Sequence, residues 1–127
     1  MADDETSVLQ LMTAVLARSG YHVDAAEDGA IAWAALQAKS YDLLITDNQM
    51  PKVTGVELVK NLRSARMALP VVMVAGELPA HELARNPSLQ IVATLEKPFA
   101  VADLLATVEN VLQATTSPQQ QINPRQD

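Results

Sequence analysis

From Val8 onward the apolar residues fall at Val8, Leu11, Met12, Val15 and Leu16, a spacing that lines them along one side of a helix. Thr6 or Ser7 offers an N-cap, and Gly20 stands where a C-terminal glycine belongs. Residues 21–26 suit a short strand, and Glu27-Asp28-Gly29 punctuates it before an Ala-rich helical stretch over 30–39 with Trp33 and Leu36. Residues 43–45 are continuously apolar, the pattern of a parallel strand covered on both faces. Residues 54–64 return to helical period through Val56, Val59 and Leu62. Residues 71–74, after Pro70, repeat the strand signature. A short helix over 79–86 is stopped by Pro87, a strand follows over 91–95, and Val101, Leu104, Leu105, Val108, Val111 and Leu112 stripe a last helix.

Strands that alternate with crossover-length segments predict an α/β layered domain with a parallel sheet, whose ligands gather at the carboxyl ends of the strands. The length of 127 residues suits one domain, expected over residues 1–114. Residues 115–127, TTSPQQQINPRQD, hold one aliphatic side chain and two prolines, the composition of a disordered tail or a linker stump. The net charge is -6 and the nine Lys and Arg are scattered, which argues against a nucleic-acid or membrane surface and leaves cation binding open. Without cysteine there is no disulfide, thiolate metal site or thiol nucleophile, in keeping with a cytoplasmic protein. The acidic N-terminus carries no signal-peptide or membrane-span pattern.

Asp47 ends the apolar run LLITD. Alone, such an Asp is ordinarily a turn residue that bonds its own following backbone. Asp3 and Asp4 precede the first helix, however, and Glu96-Lys97-Pro98-Phe99 follows the last strand, so both segments belong to the same sheet edge. Crowded carboxylates repel unless protonated or bridged by a cation, and an oxygen-only acidic pocket suits Mg²⁺. A lysine beside them would meet an added anion such as a phosphoryl group; its ordinary alternative is a solvated surface lysine.

This constellation resembles the receiver domain of two-component response regulators, over about residues 3–113. The marks are the acidic pair Asp3-Asp4, Asp47 followed by Met50-Pro51 and Gly55, and Lys97-Pro98, with phrases such as GYHVDAAEDG and LLITDNQMP. The resemblance implies a flavodoxin-like (CheY-like) doubly wound sheet in the order 2-1-3-4-5 with helices on both faces. It implies that Asp47 is the phosphoacceptor for a sensor histidine kinase, a phosphotransfer protein or a small phosphodonor. Asp4, Asp47 and the backbone carbonyl of Gln49 would hold Mg²⁺, Asp3 would act through water, and Lys97 would steady the phosphoryl oxygens. A cis peptide before Pro98 is also implied. On this reading the chain is a substrate of phosphotransfer more than an enzyme.

Two departures stand out. Only Met1 and Ala2 precede Asp3, where the family has a central strand of about five apolar residues. Two residues extend about 7 Å, and the absent burial is on the order of 7–15 kcal/mol. A truncated start, direct closure of the second strand on the third, and exchange of elements between chains compete to explain this. The expectation is a homodimer, domain-swapped or otherwise, or a rearranged sheet. Second, Ala75 replaces the family's Ser or Thr, and Thr94 replaces its inward-turning aromatic. The usual relay then lacks its parts, backbone N–H groups near Gly76 would have to bind the phosphoryl group, and any conformational response should be weak.

Gln49 and Glu77 flank the path of attacking water or are surface residues. His22 and His81 have no metal-ligand spacing, and Trp33, Tyr21 and Tyr41 are expected in packing. A pseudo-receiver that acts by protein contact without phosphorylation is one rival reading. An unrelated flavodoxin-like small-ligand domain or metal-dependent phosphatase is another, disfavoured by the missing phosphate loop.

Overall fold

The computed structural model describes residues 1–50 and 52–116. In chain order its elements are α1 (Thr6–Arg18), α2 (Gly29–Ala38), β1 (Leu44–Asp47), α3 (Gly55–Ser64), β2 (Val71–Ala75), α4 (Ala80–Arg85), β3 (Ile91–Glu96) and α5 (Val101–Thr116). A 3-10 turn over Pro87–Leu89 separates α4 from β3. The strands pair in parallel in the order β1-β2-β3. Ala2 forms parallel bridges to both Ala26 and Thr46, so five chain segments lie side by side in the order 2-1-3-4-5.

That order overturns one explanation of the short N-terminus. Residues 21–26 do not close on β1, because Ala2 stands between them: its N–H donates to the Ile45 carbonyl (2.8 Å), and its own carbonyl accepts from the Asp47 N–H (2.8 Å). Within this single chain the sheet is not rearranged; its central position is occupied only at the carboxyl end. The expected strand over 21–26 is correspondingly reduced to a segment without regular structure and a single bridge at Ala26, since a strand needs a partner along its length.

Two apolar layers enclose the sheet. Met12 and Leu16 of α1 pack with Leu104 and Val108 of α5 over Ile45, Val72 and Val74. On the other face Ala32 and Leu36 of α2, with Val56, Val59 and Leu62 of α3, cover Leu44, Val71 and Met73. β1 and β2 are buried at every position, as their unbroken apolar runs require. Trp33, Tyr41 and Tyr21 pack at the margins of these layers, as expected of them.

Helix boundaries follow capping chemistry. The N-cap of α1 is Glu5, without a side-chain cap, and not Thr6 or Ser7. Gly20 does take the left-handed φ of +97° that ends the turn. Asp28 caps α2 by accepting the Ile31 N–H at 2.8 Å. Thr54 and Glu57 form a reciprocal capping box on α3. The last helix continues to Thr116, past the domain boundary expected at residue 114; the rest of the expected tail, 117–127, lies outside the described residues.

Candidate functional site

Topology brings the candidate residues to one edge. Asp47 is the final residue of β1 itself, not a residue just past it. Its side chain is buried, as is that of Asp3 beside it, while Asp4 is exposed at the rim. One carboxylate oxygen from each of Asp3, Asp4 and Asp47 lies within 4.8 Å of the others, which makes this the candidate cation site found among the described residues. The set is oxygen-only and acidic, and it opens to solvent through Asp4, which fits a hard divalent ion that keeps some water.

Lys97 follows β3 and precedes a cis peptide to Pro98. Its Nζ donates to Asp3 Oδ2 (3.1 Å), Asp47 Oδ2 (3.0 Å) and Glu5 Oε1 (3.0 Å). The solvated-lysine alternative therefore fails. Glu5 was missed as a site residue; its signal was its place directly after the acidic pair, at the helix N-cap.

One ammonium is shared among three carboxylates, and the two partners titrate accordingly. Burial pushes the Asp47 carboxyl up, opposed by the hydrogen bonds from Lys97 and the Gln49 N–H, and Asp3's charge pushes it further up. Burial alone would lower Lys97, but the hydrogen bonds to Asp47, Glu5 and Asp3 outweigh it and hold the ammonium firmly protonated. Lysine is over-provided with anions and each anion is under-provided with cation, so both directions follow from one arrangement.

The loop after β1 is shaped by Asp47 and Asn48. Asp47 Oδ1 accepts the Gln49 N–H at 3.2 Å, and Asn48 Oδ1 accepts the Val56 N–H at 3.0 Å. Gly55 is required by contact: a Cβ there would stand 2.6 Å from the Asp47 carbonyl oxygen and 2.9 Å from Asn48 Cα.

Across the rim, Ala75 is fully buried at the end of β2 and carries no donor. The Gly76 N–H is present, but it donates to Gln49 Oε1 (3.3 Å), whose amide Nε2 donates on to the Glu77 carbonyl (3.4 Å). Thr94 lies exposed on β3. His22 is a surface residue 3.9 Å from Asp24, and His81 is exposed, so neither joins the site.

A parallel sheet that gathers three carboxylates and one lysine at its carboxyl edge defines an acidic, cation-ready pocket in a doubly wound domain. The family model for the response regulator receiver domain matches residues 1–109, and the chain belongs to that family. It is 30% identical over 115 residues to the response regulator receiver protein CpdR of Brucella abortus, covering 88% of this chain and 93% of that one. It is 30% identical over 112 residues to the alkaline phosphatase synthesis transcriptional regulatory protein PhoP of Bacillus subtilis, covering 88% of this chain and 47% of that protein. The chain thus spans about half the length of several curated relatives it matches. Among solved structures, chemotaxis protein CheY4 of Vibrio cholerae superimposes with a TM-score of 0.79 at 32% identity, covering 87% of this chain and 93% of that one. A Francisella response regulator receiver domain gives a TM-score of 0.83 at 24% identity, covering 91% and 95%.

Proposed function

We propose that the chain is a phosphoacceptor module of a two-component phosphorelay in which Asp47 is modified with the help of Mg²⁺. The observation that carries this reading is Asp47 Oδ2 at 3.0 Å from Lys97 Nζ within the three-carboxylate group. Asp4, Asp47 and the Gln49 carbonyl would hold the ion and Asp3 would act through water; the ion's contribution is to neutralise charge on the transferring group. An Asp47 carboxylate oxygen forms the new bond to phosphorus as the donor's P–N bond (phosphohistidine) or P–O bond (acetyl phosphate) breaks, and the leaving group takes the electron pair. Lys97 moves from the carboxylates to the added phosphoryl oxygens. Positioning and charge neutralisation are what this transfer demands.

The donor on this reading is a sensor histidine kinase or a phosphotransfer protein, and the chain itself is substrate more than enzyme. Among the described residues no helix is long and apolar enough to cross a membrane, which supports a cytoplasmic setting.

A second reading has its own observation. Ala75 offers no hydroxyl and the Gly76 N–H is already engaged by Gln49, which favours a pseudo-receiver working as a phosphorylation-independent interaction domain. Incubation with acetyl phosphate and Mg²⁺, followed by intact mass, decides between them. An adduct abolished by Asp47→Asn supports the phosphoacceptor; a folded protein without adduct supports the pseudo-receiver.

A further inference from the structure

The Lys97 ammonium has three N–H donors and no acceptor, and all three are engaged, by Asp3 Oδ2 at 3.1 Å, Asp47 Oδ2 at 3.0 Å and Glu5 Oε1 at 3.0 Å. No donor is left over for a further oxygen. A phosphoryl oxygen therefore meets Lys97 only after one of the three carboxylates lets go.

The three are not held alike. Side-chain exposure is 1% for Asp3 and 3% for Asp47, against 59% for Glu5. Each buried acid is also fixed a second time, because Asp3 Oδ1 accepts the Glu5 N–H at 2.9 Å and Asp47 Oδ1 accepts the Gln49 N–H at 3.2 Å. Releasing Lys97 from either of them would leave a charge unpaired away from water, which is strongly unfavourable. Releasing it from Glu5 returns one carboxylate to solvent, and an exposed ion pair is weak. Glu5 is the contact that yields.

Its position in the fold explains why Glu5 reaches the lysine at all. It is the N-cap of α1, yet its side chain makes no capping bond. The extra methylene relative to Asp carries the carboxylate past the helix end to Nζ. An Asp at an N-cap has the right length to accept from the first-turn N–H groups instead.

We infer that Glu5 is a positioning residue that acts through Lys97: in the unmodified protein its carboxylate occupies the ammonium donor that a phosphoryl oxygen takes over. This rests on the phosphoacceptor reading of Asp47 given above. Glu5 then sets how readily the lysine is released, and so how fast Asp47 is modified.

The test compares the wild type with Glu5→Ala and Glu5→Asp, with acetyl phosphate as donor at saturating Mg²⁺ and adduct formation followed by intact mass. Glu5→Ala removes the carboxylate and takes no capping bond from the helix. Glu5→Asp keeps the negative charge at the rim but turns it to the helix end. Both should form the adduct about threefold faster than the wild type, and the nitrogen-15 resonance of Lys97 Nζ in the unmodified protein should be shifted in both. A merely structural role would not give that pattern, since Glu5→Asp should raise Tm through its new cap and Glu5→Ala should not. Wild-type rates in both variants overturn the inference, and so does an unshifted Nζ resonance in Glu5→Ala. Acceleration of Glu5→Ala alone, with the resonance shifted in both, would assign the effect to lost charge repulsion and overturn it as well. No adduct on any of the three proteins would remove the phosphoacceptor reading itself, and this inference with it.

Discussion

Lys97 Nζ lies 3.0 Å from Asp47 Oδ2 across 50 residues of sequence, and the same ammonium binds Asp3 and Glu5. It is the counter-charge that lets two buried carboxylates stand side by side. Lys97→Met should destabilise the chelator-treated protein by on the order of 3–5 kcal/mol, the cost of unpairing buried charge. Millimolar Mg²⁺ should restore part of that loss by quenching the same repulsion. Urea unfolding with and without Mg²⁺ measures both; an unchanged midpoint in chelator would mean that the ammonium is not what holds the acids together.

Asp47 carries the opposite sign of pH dependence from a salt-bridged surface acid. Its carboxyl is pushed above the ordinary value of 3.8, chiefly by burial and also by Asp3. The folded state therefore binds this proton more tightly than the unfolded state, and the group's contribution to stability falls as pH rises from 3.8 through the raised folded value. Asp47→Asn should raise Tm at neutral pH without divalent ions, with the gain shrinking as pH falls through that window. A lower Tm for the Asn variant at neutral pH would contradict this. Modification by acetyl phosphate should fade over the same window, since the protonated acid is not the nucleophile.

Gly55 is a contact constraint on the loop that follows Asp47. A Cβ there would meet the Asp47 carbonyl oxygen and Asn48 Cα, both backbone atoms that yield only if the loop shifts. Gly55→Ala should cost about 1–3 kcal/mol, the range for overpacking, and should slow modification of Asp47 by more than the unfolded fraction explains. Tm and acetyl phosphate kinetics on the same sample separate the two effects.

Much of this was legible before the fold was known, and the reasons are physical. β1 and β2 were marked by unbroken apolar runs because both faces are covered, and the helices by their stripes. Asp3, Asp47 and Lys97 were legible because ends of parallel strands share an edge by topology. The strand over 21–26 was over-read, because apolar content does not say whether a partner strand runs beside it. Arg63 was not legible at all: its guanidinium donates to the carbonyls of Leu89 (2.8 Å), Met67 (2.7 Å) and Leu69 (2.9 Å), backbone acceptors that no side-chain pattern announces. The Thr54 and Glu57 capping box was written in the sequence as Thr-x-x-Glu ahead of an apolar stripe, and reading the segment for period alone passed over it.

Gln49 decides how much the missing hydroxyl at position 75 matters. Its Oε1 holds the Gly76 N–H at 3.3 Å while its Nε2 spans to the Glu77 carbonyl, so the side chain lies across the rim where an added phosphoryl oxygen would look for a donor. On the proposed phosphoacceptor reading, a phosphoryl group on Asp47 would compete with Gln49 for that N–H. Gln49→Ala removes the competitor, and a neutral hydrogen bond is worth about 1 kcal/mol, so the adduct's half-life should lengthen about fivefold. Glu at the same position keeps an acceptor for Gly76 but adds a negative charge near the phosphoryl oxygens, so its adduct should form more slowly than in the wild type. Intact-mass time courses at fixed Mg²⁺ distinguish the three proteins. Identical half-lives for the wild type and Gln49→Ala would show that Gly76 takes no part in holding the phosphoryl group, leaving Lys97 and the ion to do so alone.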